Sequence, residues 1–156
     1  MNSPTPLILS EQPLTVPALL ALPDGVTTVM KHWPAVTLAE LPALFDAGYT
    51  ELAAAAPIGP GFAVYTGDVS ATFDLHIGFP VAMIPDGFIG SDFPSGPALA
   101  VSHLGGYDGL SATWQQLTGD FAGRQLGPPR QLVEIYVTDP SVTAAGDLRT
   151  DLLICY

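Results

Sequence analysis

Apolar and polar positions along this chain follow two periods, one of a strand and one of a helix. Alternation with period two places every second residue on one face of a sheet, and it predicts strands over 26–32, 62–66, 72–79, 98–103, 132–138 and 149–156. Two apolar stripes share a 4, 3, 4 spacing and predict two helices, namely Leu41, Phe45, Gly48, Leu52 and Leu110, Trp114, Leu117, Phe121. The order of elements is therefore strand, helix, strand, strand, written twice.

Residue identities repeat in the same order as the predicted elements. A spacing of 71 residues separates three identical pairs, which are His32 and His103, Tyr65 and Tyr136, and Asp68 and Asp139. A fixed spacing of this kind indicates a repeated structural unit. The sequence therefore predicts an α+β fold in which two pseudo-twofold-related βαββ units carry antiparallel sheets and enclose a central ligand cleft.

The chain divides accordingly into an N-terminal arm and one domain. Residues 1–25 form the arm and lead-in, and 26–156 form the domain. Within it, unit one covers about 26–81, a crossover rich in Pro and Gly covers 84–97, and unit two covers about 98–156. Neither half is long enough to be stable alone, so we expect both to share one core.

Glu134 is a carboxylate at the centre of an apolar predicted strand, QLVEIYVTDP at 131–140. The alternation puts it on the face of Leu132 and Tyr136, opposite Val133 and Ile135. Burying an unpaired carboxylate costs several kcal/mol. Three interpretations follow: the face is exposed to solvent, Glu134 pairs with Arg149 on the neighbouring strand, or Glu134 lies in an aromatic cleft as the counter-charge of a cation.

Charge and composition exclude several classes of function. The 156 residues carry a net charge of −11 with only four Lys and Arg side chains, too few to neutralise phosphates, so we expect no direct nucleic-acid binding. No apolar run approaches the ~18 residues that span a bilayer, so we expect no membrane association. Cys155 is the sole cysteine, which excludes an intrachain disulfide and fits a reducing cytoplasm.

Metal and nucleotide sites find no support in the residue spacing. His32, His76 and His103 fall on three separate predicted strands without close ligand spacing, and no phosphate-binding glycine loop or hydrolase serine motif is present. We therefore expect neither a metal nor a cofactor. The sequence leaves the oligomeric state open.

Several motifs together resemble the GyrI-like small-molecule-binding family, which is also the effector-binding domain of AraC-type and MerR-type multidrug-responsive regulators. In unit two they are GYDGL at 106–110, GPP at 127–129, VEIYVTDP at 133–140 and LRTDLLICY at 148–156. In unit one they are ELPALFDAGYTEL at 40–52, GPGFAVYTGD at 59–68 and FDLHIGFPV at 73–81. The resemblance covers about residues 26–156. It implies paired βαββ units of the kind known as SHS2 repeats, with Glu134 of the E-x-Y motif directed into the cleft.

The resemblance also implies a function: binding of a hydrophobic, cationic small molecule for sensing or sequestration. Glu134 is the first candidate ligand-binding residue, and the others are Tyr65, Tyr136, Trp114, Tyr107 and Trp33. For Tyr65, Tyr136 and Trp114 the alternative is strand or core packing. Trp33 and Tyr107 are predicted at equivalent bends just after matching strands, 26–32 and 98–103, where loops that close a cleft carry recognition. A second interpretation is a hydrolase of reactive cyclopropane-bearing genotoxic compounds, with Glu134 as acid or base. A third is a partner protein that restrains DNA gyrase or serves a regulator.

Overall fold

The structure is a computed structural model that describes residues 6–140 and 142–156. It contains two long helices, α1 at Leu41–Leu52 and α2 at Leu110–Arg124. Short 3-10 turns occur at Leu38–Glu40, Ala53–Ala55, Tyr107–Gly109 and Ala145–Asp147. Its eight strands are β1 Ala18–Leu22, β2 Thr27–Val36, β3 Gly61–Gly67, β4 Phe73–Pro80, β5 Gly90–Asp92, β6 Gly96–Leu104, β7 Gln131–Tyr136 and β8 Arg149–Cys155.

All eight strands form one antiparallel sheet in the order β1-β6-β8-β7-β3-β4-β2-β5. The first unit contains β2, α1, β3 and β4, and the second contains β6, α2, β7 and β8. The predicted α+β fold with two βαββ units is thus confirmed. The units meet where β3 pairs with β7, so the two sheets are continuous across the junction.

The register between β3 and β7 locates the pseudo-twofold axis. Ala63 lies directly opposite Glu134, and the two are separated by the 71 residues of the repeat. Each of these two residues therefore pairs with its own equivalent in the other unit. In a pseudo-twofold arrangement, such a pairing occurs only at the axis. On either side, Gly61 pairs with Tyr136 and Tyr65 pairs with Leu132. Glu134 consequently lies at the centre of the molecule.

The two faces of the sheet are covered differently. Both helices pack on one face, which we call the helix face, and each covers its own apolar cluster. On the other face, β7 and β8 bury Val133, Ile135 and Leu153 under side chains from the N-terminal segment, including Leu7, and from the crossover, including Phe93. The helix face is left with a gap between α1 and α2, above the β3–β7 junction.

Two strands occur where the sequence predicted connecting segments. β1 lies within the predicted arm at 1–25, where the apolar run ALLAL sits between Pro17 and Pro23 and pairs with β6 at the sheet edge. β5 lies within the predicted crossover at 84–97 and pairs with Thr27–Val29. Both are short and occupy sheet edges, where pairing on one side is sufficient and a clear alternation is not required.

β2 is longer than predicted and this changes the position of Trp33. The strand was expected to end at His32, with Trp33 at a bend like that of Tyr107, but it continues to Val36. A register shift follows Trp33, with Ala35 at a φ of 53°, and it lets Val36 pair with Phe73. Tyr107 does follow its strand, in a 3-10 turn. The equivalence predicted for the two bends is therefore wrong.

Candidate functional site

A cavity of about 1290 Å³ occupies the gap between α1 and α2. Its floor is the β3–β7 junction, and its walls come from both units, with Phe45 and Tyr49 on α1 and Trp114 on α2. Small-molecule sites usually measure about 300–1,000 Å³, so a drug-sized ligand fits with space to spare. The cavity is the central cleft that the repeat predicted.

Glu134 lies at the floor of this cavity and is only 6% exposed. Its side chain accepts three hydrogen bonds. Tyr65 and Tyr136 donate their hydroxyls to Oε1 over 2.6 and 2.8 Å, and Trp114 donates its Nε1–H to Oε2 over 2.8 Å. All three donors are neutral and present a proton to an acceptor, an arrangement suited to an ionised carboxylate.

The two tyrosines reach Glu134 from equivalent positions. Tyr65 and Tyr136 are related by the repeat, and because Glu134 lies on the axis, both hydroxyls meet the same oxygen atom. Burial raises the pKa of both phenols well above the usual tyrosine value, and the negative charge of Glu134 raises each further. Both side chains therefore remain protonated donors at any physiological pH.

Trp114 has a partial counterpart in the first unit. It occupies the second position of the α2 stripe, and Phe45 occupies the second position of the α1 stripe. Both side chains line the cavity, but only the indole has an N–H to donate to Glu134. The cavity is thus symmetric in shape and asymmetric in its hydrogen-bond donors.

Arg149 does not pair with Glu134. Leu152 is the residue of β8 opposite Glu134, so Arg149 and Asp151 project from the other face of the sheet. There the Nε and a terminal nitrogen of Arg149 each donate to Asp151 over 3.0 Å. Because Glu134 is also buried, two of the three interpretations that its sequence position allowed are excluded, and the aromatic cleft is the one that the geometry fits.

Aromatic rings surround Tyr136 on the cavity wall. Phe45, Tyr49 and Tyr107 approach it edge-to-face, with ring centroids 6.3, 6.2 and 6.0 Å away. Tyr107 comes from the 3-10 turn before α2 and is 40% exposed, so it lies at the mouth. Edge-to-face packing is a favoured geometry for aromatic pairs and fixes the orientation of these rings on the cavity wall.

The charged side chains that line the cavity are all acidic. Among the described residues they are Glu134 at the floor and Asp46 and Asp139 at the exposed rim. The four cationic side chains interact elsewhere: Lys31 pairs with Glu51, Arg124 with Asp120 and Arg149 with Asp151, and Arg130 donates to two backbone carbonyls. The described lining of the cavity consequently carries only negative charge.

The structure brings five of the six predicted site residues together and leaves one out. Glu134, Tyr65, Tyr136, Trp114 and Tyr107 all line the cavity. Trp33 instead is partly buried and packs against the core cluster beneath α1, where a Cβ added at Gly48 would approach its ring to 2.8 Å. The sequence reasoning missed Phe45 and Tyr49, although Phe45 stands in the helical stripe and Tyr49 follows it by one helical turn.

The histidines take structural positions. His103 contacts the Thr113 hydroxyl and the Gly106 carbonyl, and His32 and His76 stack with ring centroids 4.1 Å apart. Within residues 6–140 and 142–156, no group of three or more potential ligand side chains is arranged to hold a metal ion. In the same part of the chain, neither helix has the length and apolar character needed to cross a membrane.

No protein-family model matches this sequence, and no curated protein is detectably similar to it. Solved structures do share its fold. The C-terminal domain of EcmrR has a TM-score of 0.70 at 15% identity, with 90% of this chain and 96% of that one covered. SAV2435 bound to tetraphenylphosphonium has a TM-score of 0.66 at 10% identity, with 90% and 93% covered.

A third similar structure is that of a hydrolase from Listeria innocua, with a TM-score of 0.61 at 13% identity and with 92% of this chain and 93% of that one covered. At such identities the likeness concerns the fold alone. It is consistent with the GyrI-like fold that the sequence motifs resemble, and membership of that family remains a prediction.

Proposed function

We propose that this chain binds a lipophilic cation in the central cavity, with Glu134 as its counter-charge. The observation that carries the proposal is the state of Glu134. It is a buried carboxylate with three neutral donors, and no Lys or Arg among the described residues lines its cavity. Neutral donors orient the carboxylate but leave its charge uncompensated, which favours a cationic ligand.

The walls of the cavity suit the apolar part of such a ligand. Tyr136, Tyr107 and Phe45 present aromatic rings around the carboxylate, and a cation against an aromatic face gains about 0.5–2 kcal/mol. The volume of about 1290 Å³ accommodates several fused or branched rings. A ligand that combines delocalised positive charge with aromatic bulk matches both features.

One of the similar folds gives the proposal a probe. SAV2435 has been solved with tetraphenylphosphonium, a bulky aromatic cation. We expect this chain to bind the same cation. By binding such cations, the protein would sense or sequester them.

Titration calorimetry of wild type and Glu134→Gln with tetraphenylphosphonium tests the proposal. Loss of a buried charge partner costs about 2–5 kcal/mol, so we expect the variant to bind at least about 30-fold more weakly. Glu40→Gln makes the same change at an exposed position outside the cavity and should bind like wild type. Equal affinity in wild type and Glu134→Gln would contradict the role of the carboxylate.

Tryptophan fluorescence gives a second measurement at the site itself. Trp114 lines the cavity and Trp33 does not, so in a Trp33→Phe background the cavity residue is the sole reporter. We expect the ligand to change that emission. A ligand-induced change in Trp114→Phe, where Trp33 is the sole tryptophan, with none in Trp33→Phe would place the ligand elsewhere.

Hydrolysis of a reactive electrophile is the second candidate function. The observation in its favour is that Glu134 Oε1 lies within 2.6 and 2.8 Å of two tyrosine hydroxyls, which places a proton acceptor beside two proton donors. One similar fold is also that of a protein described as a hydrolase. In this role Glu134 would activate water while a tyrosine donates to the leaving group.

Turnover distinguishes the two functions. Product formed from an electrophilic cyclopropane compound by wild type, and not by Glu134→Gln, would support hydrolysis. Binding of that compound without product would leave the chain as a binding protein.

A further inference from the structure

The N-terminal segment, residues 6–14, contributes side chains to both faces of the sheet. Leu7 is 3% exposed and packs in the core beneath the sheet, with Leu9 against the same cluster. Ile8, between them, lines the cavity on the helix face. The chain turns here through Leu7 at a φ of 67°, a conformation that costs about 1 kcal/mol or more in a residue other than glycine.

A buried ion pair holds this segment from the opposite face. Arg149 donates to the carbonyl oxygens of Ser10 and Glu11 over 2.9 and 3.3 Å, while Asp151 holds its guanidinium. Ser102 donates its hydroxyl to Asp151 over 2.7 Å and exchanges two hydrogen bonds of 2.8 Å with the backbone of Leu14. The segment is thus held at residues 10, 11 and 14, and the first of these anchors lies two residues after Ile8.

We propose that Ile8 is a specificity-determining residue of the cavity and that Arg149 is a positioning residue for it. The inference rests on the proposed function and adds a ligand class: cations bulky enough to reach from Glu134 to the N-terminal segment. A small cation satisfies the carboxylate without touching Ile8. A large aromatic cation extends across the cavity from Glu134 and gains the apolar contact that Ile8 supplies.

The geometry of the segment explains why Ile8 discriminates by size. Gly59, Pro60, Gly61 and Val137 also line the cavity near the ends of β3 and β7, and a Cβ at Gly59 would meet the Pro6 carbonyl at 2.6 Å. The segment therefore packs closely on this end of the cavity. Its position sets how long a ligand the cavity accepts, and that position depends on the anchor at Arg149.

The test compares two cations of different size on wild type and Ile8→Ala. By calorimetry we expect tetraphenylphosphonium to bind the variant about five- to tenfold more weakly, and tetramethylammonium to bind both proteins equally. Ile89→Ala, the same change at a residue that is 75% exposed, serves as the matched control. Equal weakening of both cations, or of neither, would overturn the assignment of Ile8.

The role of Arg149 is tested through exchange and selectivity together. In Arg149→Lys we expect faster amide hydrogen exchange over residues 7–14, with weaker tetraphenylphosphonium binding and unchanged tetramethylammonium binding. Ser102→Ala loosens the same segment without changing a charge and should shift selectivity in the same direction. Faster exchange with no change in selectivity in both variants would show that Arg149 does not position Ile8. Failure of wild type to bind either cation would instead contradict the proposed function.

Discussion

Two buried carboxylates on neighbouring strands differ in whether their hydrogen-bond partners are charged or neutral. Asp151 on β8 is 2% exposed and receives two hydrogen bonds from Arg149. Glu134 on β7 is 6% exposed and receives three hydrogen bonds from neutral groups. One charge is compensated by a cation within the chain, and the other has only neutral partners among residues 6–140 and 142–156.

The difference separates a structural charge from a candidate functional one. The charge of Asp151 is neutralised by Arg149, and the same arginine anchors the N-terminal segment. An uncompensated buried carboxylate costs stability, because its loss of hydration is only partly replaced by neutral donors. Its location on the pseudo-twofold axis, at the floor of an aromatic cavity, supports the proposal that a ligand supplies the missing positive charge.

The largest expected effect is a loss of unfolding free energy when the Arg149–Asp151 ion pair is broken. Arg149→Met leaves Asp151 buried without its cation, so we expect the free energy of unfolding to fall by about 3–5 kcal/mol. Glu134→Gln relieves a charge that has no cation among the described residues, but its amide nitrogen cannot accept one of the three hydrogen bonds, so we expect a smaller fall of about 1–2 kcal/mol. Denaturant titration measures both variants. A Glu134→Gln variant destabilised as much as Arg149→Met would show that the two carboxylates are equivalent.

The next largest effect is the loss of unfolding free energy when either tyrosine hydroxyl that donates to Glu134 is removed. Tyr65→Phe and Tyr136→Phe each remove one hydrogen bond to Glu134 Oε1, and a bond to a charged group contributes about 1.5–3 kcal/mol. We expect similar losses of unfolding free energy in the two variants, because the residues are related by the repeat. Tyr49→Phe, which removes a hydroxyl that donates to the Phe62 carbonyl instead, is the control for loss of a buried phenol. Unequal losses would contradict equal sharing of the carboxylate.

The smallest effect is alkaline destabilisation. The pKa of Tyr65 and Tyr136 is raised in the folded state, so their contribution to stability is complete below the unfolded-state pKa of about 10 and is lost as pH rises above it. By about pH 10.5 each tyrosine should remove about 1 kcal/mol from the free energy of unfolding. Thermal unfolding of wild type and Tyr65→Phe across this range measures the difference. Parallel alkaline losses in the two proteins would contradict the contribution of Tyr65.

Much of the fold could be predicted because the chain repeats itself. The spacing of 71 residues identified Tyr65 and Tyr136 as equivalent positions of the two units. The two apolar stripes predicted which face of each helix packs on the sheet. The strands β1 and β5 could not be predicted in the same way. Each is short and lies at an edge, so it carries little of the alternation on which strand prediction depends.

The candidate site was predictable in its centre and not at its ends. The E-x-Y motif placed Glu134 and Tyr136 together, but all seven residues of β8 are buried, so no polar alternation showed which face Arg149 occupies. β2 continues past Trp33 to Val36 through a register shift, and Pro34 is its one signal in the sequence. Ile8 reaches the cavity through a tertiary path that no local period encodes.

If the cavity selects its ligand by charge, two probes of nearly the same shape and opposite charge should bind differently. Tetraphenylphosphonium and tetraphenylborate present the same four phenyl rings around opposite charges. Calorimetry on wild type should show binding of the cation and none of the anion, because the charged side chains that line the cavity in the described part of the chain are all acidic and Glu134 has no cationic partner there. Equal affinity for both would show that the cavity recognises apolar bulk alone and would contradict the account.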